Sequence, residues 1–254
     1  MADGHVHGLY LHGHSRIHRL APQVKIVGAV LLVLGFVATP RTAMWAFGIY
    51  ALVVVSLAAV ARIPVTFAMR RMMIEIPFLL VVLLLPLLGS EPNVEVLGLS
   101  LSEAGLWDAW NILAKATLGL GIAVVLGATT QVPEILVGLD GLKMPSIITA
   151  IAGFMVRYID VIATDWRRMR TAMASRGHDA RWLTQVIPLA RTLGAMFVRT
   201  YERGERIYLA MRSRGYTGTM PASSVPATPP VEWAIASIVV CSVWLVAAAA
   251  VVTV

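Results

Sequence analysis

Charged residues are scarce in this chain of 254 amino acids. Asp, Glu, Lys and Arg make up only 14% of it, against about a quarter in a typical soluble domain. Hydrophobic residues make up 58%, and the mean hydropathy is +0.77. Too few charges are available to cover a globular surface in water, which excludes an ordinary soluble protein. We therefore expect much of the surface to lie in lipid.

Cysteine and the motifs of common enzyme classes are also missing. The single Cys241 cannot form an internal disulfide, and no Cys-x-x-Cys pair indicates a metal site. The patterns G-x-x-x-x-G-K-[ST], G-x-S-x-G and H-E-x-x-H do not occur. Residues 1–20 have no apolar core, so we expect no cleavable signal peptide. These absences predict a chain that is not an enzyme, binds no cofactor and does not itself hydrolyse ATP.

Apolar runs near the length that crosses a bilayer, about 20 residues, recur along the chain. We predict five membrane helices in these runs: Ile26–Ala38, Ala43–Ala61, Ile76–Leu88, Ile112–Thr130 and Trp233–Val254. Residues 131–230 hold 13 Lys or Arg against 7 Asp or Glu, and so carry most of the net charge of +7. Positive loops stay in the cytoplasm, which predicts a cytoplasmic N-terminus and an outer C-terminus.

The predicted fold class is an all-α membrane protein in four parts. A histidine-rich cytoplasmic tail (1–22) precedes a four-helix membrane region (23–130). A basic cytoplasmic module (131–230) and a last transmembrane helix (231–254) follow. The predicted place is the inner membrane of a bacterial cell, with the lipid bilayer as a partner. The cytoplasmic loops account for the basic charge, and the module lacks stacking aromatics, so we expect no nucleic-acid partner.

Two long amphipathic helices are predicted in the basic module. A helix over Ser146–Ser175 would be about 45 Å long, and Gly177 suits the left-handed position after its end. A second helix is predicted at Thr184–Ser213, followed by Gly215. The first has an apolar residue at every third or fourth position, which marks one face of a helix: Ile148, Ile151, Met155, Ile159, Ile162, Trp166, Met169 and Met173.

A six-residue repeat closes both helices. Residues 172–177 read Ala-Met-Ala-Ser-Arg-Gly, and residues 210–215 read Ala-Met-Arg-Ser-Arg-Gly. One interpretation is ordinary capping, since arginine and glycine both suit a helix C-terminus. The other is a paired docking device, since a projecting guanidinium can bind a carboxylate in a groove through two hydrogen bonds. Two matching ends favour docking to a partner with two equivalent grooves.

The repeat, on a basic module before a last membrane helix, resembles the transmembrane (T) component of energy-coupling factor (ECF) transporters. The cobalt-type CbiQ family is the most similar, and the likeness extends over about His14–Pro221. It rests on four further stretches: His18–Leu20 with Val24 and Lys25, Val96–Ser100, Trp110–Thr117 and Arg199–Arg206.

This resemblance implies a transport scaffold. T components join two cytosolic ABC-type ATPase subunits to a substrate-capture subunit in the membrane, and ATP-driven motion releases the substrate inside. The implied ATPase-coupling residues are Ala174, Ser175, Arg176, Gly177, Arg212, Ser213, Arg214 and Gly215. The family pattern is Ala-Arg-Gly, and both copies here have serine where alanine is usual. The implied substrate is cobalt, for cobalamin biosynthesis, with nickel, biotin or another vitamin as alternatives.

Lys115 interrupts the predicted fourth span. A charge inside a membrane segment indicates function by default. Lys115 is therefore either a contact with the substrate-capture subunit or a lysine whose ammonium reaches the outer interface. Glu75 is expected at the inner start of the third span.

The tail carries five histidines, of which His12 and His14 are weak metal candidates, although metal capture belongs to another subunit in the family. No metal site is predicted from their spacing.

Two other classes of protein remain open on the residues alone. A membrane enzyme or lipid-modifying protein could place a basic amphipathic arm on anionic headgroups, but nothing in that role requires two matching helix ends. A conventional ABC permease should show polar residues along several membrane helices, and this chain shows few. The repeat therefore favours a coupling scaffold.

Overall fold

The computed structural model describes residues 10–11, 13, 15–88, 93–96, 99–177, 186–218 and 228–253. The chain divides into two compact units. The membrane unit consists of Leu9–Gly138 and Pro226–Val254. The second unit, named the arm, contains Leu139–Val225.

The described part of the membrane unit is built mainly from apolar helices. Five of them correspond to the five predicted spans, and the others are short. In chain order they are α1 (Arg16–Arg19), α2 (Pro22–Ala38), α3 (Met44–Val60), α4 (Val65–Met72), α5 (Ile76–Leu88), α6 (Glu103–Thr129), the beginning of α7 (Val132–Gly141) and α10 (Pro230–Val252). Helix α6 begins nine residues before the predicted span, because the Ser102 side chain accepts a hydrogen bond from the Gly105 N–H and caps an earlier turn.

The third predicted span, Ile76–Leu88, is the second half of a longer helical segment. Helix α4, a 3₁₀ turn at Met73–Glu75 and α5 follow one another directly over Val65–Leu88. The break falls where Pro77 has no N–H to donate to the Met73 carbonyl. Glu75 Oε1 accepts a hydrogen bond from Thr117 Oγ1 at 3.0 Å. Thr117 lies in the middle of α6, so Glu75 is at mid-height in the unit, and the expectation that it lies at the inner end is wrong.

A two-stranded hairpin precedes α6. Strands β1 (Asn93–Val96) and β2 (Leu99–Ser102) pair antiparallel, with Asn93 opposite Ser102 and Val96 opposite Leu99. The sequence analysis noted part of this stretch only as a family resemblance. Apart from these four-residue strands, the regular structure in the described residues is helical, which confirms an all-α membrane fold.

The core of the membrane unit lies toward its apical end, where α2 and α10 finish and α3 and α6 begin. Phe36, Tyr50 and Val243 have exposed fractions of only 0%, 0% and 1%. The Tyr50 hydroxyl lies 2.8 Å from Thr39 Oγ1, which itself donates to the Gly35 carbonyl at 3.0 Å. These contacts join α2, α3 and α10 and satisfy the buried hydroxyl groups.

The opposite, basal end is closed by the segment before α2. The Leu11 N–H donates to the Ala128 carbonyl at 3.0 Å. The buried Lys25 Nζ donates to the carbonyls of His18 at 3.0 Å and Thr129 at 2.9 Å. The lysine thereby links α2, the N-terminal segment and the end of α6.

The described part of the arm contains two long helices, α8 (Ser146–Ser175) and α9 (Val186–Ser213). The first has the predicted bounds. Residues 178–185 lie outside the described residues, so the predicted start of α9 at Thr184 is not described. No residue of α8 is fully buried within the structure. Its apolar side chains therefore need cover from lipid or from another protein.

Three described helices are long and apolar enough to cross a membrane, judged by length and composition: α6, α8 and α10. Helices α2 and α3 are apolar but have only 17 residues each. This result for α8 differs from the prediction, which places the helix in the cytoplasm. The reason is its uneven charge, since Asp165, Arg167, Arg168 and Arg170 crowd its second half. The four-part division of the chain stays a prediction.

Candidate functional site

The two copies of the repeat form helix ends with the same backbone geometry. Helix α8 ends at Ser175 and α9 at Ser213, and an arginine follows each as the residue that closes the helix. The glycines come next in left-handed conformations, with φ of +76° at Gly177 and +88° at Gly215. This confirms the predicted glycine positions, because a side chain at positive φ is strained and glycine is not.

The backbone N–H groups of the arginine and the glycine form the same hydrogen bonds in both copies. The arginine N–H donates three residues back, Arg176 to the Met173 carbonyl at 3.1 Å and Arg214 to the Met211 carbonyl at 3.0 Å. The glycine N–H groups also donate three residues back, at 3.0 Å in both copies. These bonds tighten the last turn and satisfy carbonyls that a helix end leaves free.

The serine side chains of the repeat form hydrogen bonds within their own helices. Ser175 Oγ donates to the Ala172 carbonyl at 3.0 Å, and Ser213 Oγ donates to the Ala210 carbonyl at 2.9 Å. Each hydroxyl bonds to its own helix instead of pointing to a partner. Serine in place of the family's usual alanine therefore leaves the shape of the end unchanged.

Both ends present their polar atoms to the surroundings. In each copy the methionine is half-buried, and the four residues that follow it are exposed, namely Ala174–Gly177 and Arg212–Gly215. Within the described residues neither Arg176 nor Arg214 makes an ion pair. Each guanidinium is therefore available to a carboxylate on another molecule.

Helices α8 and α9 pack antiparallel. Thr192 near the start of α9 donates its hydroxyl to Met173 Sδ near the end of α8, at 3.2 Å. Farther along, Arg203 Nη2 lies 2.9 Å from Asp165 Oδ2, with both side chains about one-third exposed. Phe154 and Tyr158 of α8 face Ile207 and Met211 of α9 across an apolar cleft of about 260 Å³. The arm is thus a helical hairpin with its two repeat ends at opposite ends.

Asp165 and Arg203, which form the ion pair, occupy equivalent positions on α8 and α9, counted back from the two copies of the repeat. Each residue precedes its motif arginine, Arg176 or Arg214, by 11 positions. With a rise of 1.5 Å per residue, each arginine lies about 16 Å along its helix from the ion pair, in opposite directions. Measured along the hairpin, the two arginines are therefore about 33 Å apart. This ion pair was not predicted, although its 38-residue spacing, equal to that of the repeat, was a usable signal.

Lys115 lies on α6 twelve residues from its start, and its Nζ donates to the Val37 carbonyl at 2.9 Å. Val37 belongs to the last turn of α2, so the ammonium reaches toward the apical end. A role as a contact for a second membrane subunit stays a prediction. One turn earlier on α6, Asn111 Oδ1 is buried with no hydrogen-bond partner among the described residues.

The histidine-rich tail lies mostly outside the described residues, and this includes His12 and His14. His18 is described, and its ring is held on both sides. Its Nε2 donates to the Leu11 carbonyl at 3.0 Å, while Nδ1 lies 2.7 Å from Ser15 Oγ. A carbonyl oxygen can only accept, so Nε2 carries the proton and His18 braces the N-terminal segment. Within the described residues no group of three His, Cys, Asp or Glu could hold a metal ion.

The family model described as CbiQ, cobalt transport protein, matches residues 13–225 of this chain. The energy-coupling factor transporter transmembrane protein EcfT of Bacillus selenitireducens is 28% identical, with 99% of this chain and 97% of the relative covered. EcfT of Bacillus subtilis is 27% identical over 86% and 87%. The cobalt transport protein CbiQ of Rhodobacter capsulatus is 26% identical over 67% and 68%.

These relatives are transporter components that match this chain over two thirds or more of their own length. The match covers most of the membrane unit, without its last helix, and both repeat ends, so it is not confined to the apolar helices. The chain therefore belongs to the CbiQ cobalt transport protein family and is a transmembrane component of the ECF transporter type.

Proposed function

We propose that this chain is the scaffold that couples ATP hydrolysis by two cytosolic ABC-type ATPase subunits to cobalt uptake through a membrane-embedded capture subunit. The observation that carries the proposal is the pair of matching, exposed arginine ends on one antiparallel hairpin. A dimer of ATPases offers two equivalent grooves, and two ends about 33 Å apart can occupy one each. The chain supplies the mechanical link and performs no catalysis.

Each element has a defined role in this mechanism. Arg176 and Arg214 dock on the two ATPases, and the glycines after them end the helices sharply so that the guanidinium groups project. The Asp165–Arg203 ion pair and the facing apolar side chains hold α8 and α9 in one register. When the ATPases close on ATP, the two ends move and the hairpin carries that motion toward the capture subunit.

Co-purification with ATPase subunits tests the docking step. We expect the chain to retain both ATPases in detergent, and Arg176→Glu with Arg214→Glu to lose them. The loss of one buried, hydrogen-bonded charge pair costs about 2–5 kcal/mol, so the double change should abolish binding at micromolar concentrations.

Arg168→Glu with Arg206→Glu is the matched control, since these exposed arginines are also 38 residues apart on the same two helices. The control should keep the ATPases. Equal retention by both double variants would contradict the proposal. Equal loss would mean that the ATPases bind the overall positive charge of the arm and not the repeat ends, which also contradicts the proposal.

The substrate is a separate proposal. We infer cobalt from the family model's description and from the relative named as a cobalt transport protein. Cells that express the chain with ATPase and capture subunits should accumulate labelled Co²⁺ in an ATP-dependent way. Uptake of Ni²⁺ or biotin without Co²⁺ uptake would replace cobalt by one of the alternatives and leave the coupling role intact.

A further inference from the structure

An apolar cleft of about 450 Å³ opens in the basal half of the membrane unit. Four long helices line it, namely α2 through Gly28, α3 through Leu57, α6 through Val125 and α10 through Ile235, and the short α1 closes one end. Its volume is within the range of about 300–1,000 Å³ for small-molecule sites. The proposed function does not use this cleft.

The cleft exists because α3 and α10 meet only in the apical half. There the Tyr50 hydroxyl reaches the Val243 carbonyl at 3.5 Å, and both side chains are buried. Toward the basal end the two helices separate. Val60 and Ile235, which line the cleft on either side, are 51% and 52% exposed. The cleft therefore opens sideways between α3 and α10.

A positive charge lies at the basal mouth. Arg16 lines this end of the cleft, is exposed, and makes no ion pair within the described residues. Glu232 forms no ion pair with Arg16, and its Oε2 accepts a hydrogen bond from the Ala21 N–H at 2.7 Å. The buried Lys25 also lines the cleft and is bound to two carbonyls. The mouth thus combines an available guanidinium with an apolar interior.

We propose that this cleft binds one acyl chain of an anionic phospholipid whose phosphate pairs with Arg16. The guanidinium at the mouth matches a lipid phosphate, and the apolar interior matches an acyl chain. The predicted orientation places the basal end in the cytoplasmic leaflet, which is rich in anionic lipid. The proposal shares only this orientation with the proposed function and does not depend on ATPase docking.

Native mass spectrometry of the full chain tests the site. The chain is reconstituted in nanodiscs of equal phosphatidylglycerol and phosphatidylcholine, released, and the lipids retained per chain are counted. We expect one phosphatidylglycerol on the wild type. Gly28→Leu should remove it, because a Cβ at Gly28 meets nothing within 4 Å and the larger side chain would fill the cleft. Ala236→Leu, from the α10 side, is a second variant of the same kind.

Gly48→Leu is the matched control, since Gly48 is also a helical glycine with open space around it but lies outside the cleft. It should retain lipid as the wild type does. Arg16→Gln should keep a lipid but reduce the preference for phosphatidylglycerol by about fivefold. The site is overturned if the folded cleft-filling variants retain as much lipid as Gly48→Leu, or if the wild type shows no preference for phosphatidylglycerol.

Discussion

The two lysines inside the membrane unit show how single charges are accommodated there. Lys25 donates to the Thr129 carbonyl at the end of α6, and Lys115 donates to the Val37 carbonyl in the last turn of α2. The last four carbonyls of a helix have no partner within it and carry its partial negative charge. Each ammonium therefore lies on a helix C-terminus, whose partial negative charge stabilises it, and the carboxylates of Glu134 and Glu232 add to this at Lys25.

The serines of the repeat lead to a prediction at the same scale. Ser175→Ala with Ser213→Ala should leave ATPase binding unchanged within about twofold, because each hydroxyl bonds to its own helix and a surface change of this kind costs little. ATPase affinity measured by titration of the purified complex checks this. A loss as large as that of Arg176→Ala with Arg214→Ala would mean that the hydroxyl groups themselves contact the ATPases.

At the scale of elements, α5 and α6 come closest at Gly105. A Cβ built there would lie 2.8 Å from the Leu85 carbonyl oxygen and 2.8 Å from Pro86 Cα, both backbone atoms. Only a residue without a side chain allows this approach, because backbone cannot move aside as a flexible side chain can.

We therefore expect Gly105→Ala to destabilise the membrane unit by about 1–3 kcal/mol through overpacking. The measurement is the thermal unfolding midpoint of the chain in detergent. Gly48→Ala is the control and should be neutral or slightly stabilising, since its Cβ would meet open space. Equal midpoints for the two variants would show that α5 can shift away from α6 without cost.

At the scale of the whole molecule, the number of membrane crossings decides where the C-terminus lies. The charge pattern predicts five crossings, a cytoplasmic N-terminus and an outer C-terminus. Helix α8 is also long and apolar enough to cross. A sixth crossing by α8 would return the C-terminus to the cytoplasm.

Reporter fusions distinguish these outcomes. Alkaline phosphatase fused after Val254 should be active, because this enzyme is active only on the outer side of the membrane. A fluorescent protein fused at the same place should be dark, because it becomes fluorescent only in the cytoplasm. The reverse result, with a fluorescent N-terminal fusion as control, would show an even number of crossings and contradict the five predicted ones. A further fusion at Gly177 would then test whether α8 is the sixth.

The sequence by itself determined the features that depend on local pattern. Apolar runs gave the positions of α2, α3, α5, α6 and α10. The spacing of apolar residues predicted α8, and the repeat before Gly177 marked where it ends. The glycines at Gly177 and Gly215 were predictable because positive φ after a helix is a local steric requirement. The family resemblance, now shown, also rested on short local motifs.

The tertiary structure alone decided which residues meet. The Asp165–Arg203 pair depends on the antiparallel packing of two helices, and the Glu75–Thr117 contact depends on how far the broken third span extends. The cleft near Arg16 exists only because α3 and α10 touch at one end and separate at the other. Such contacts join residues 38 to 193 positions apart, and no local periodicity specifies them because they follow from how whole helices pack.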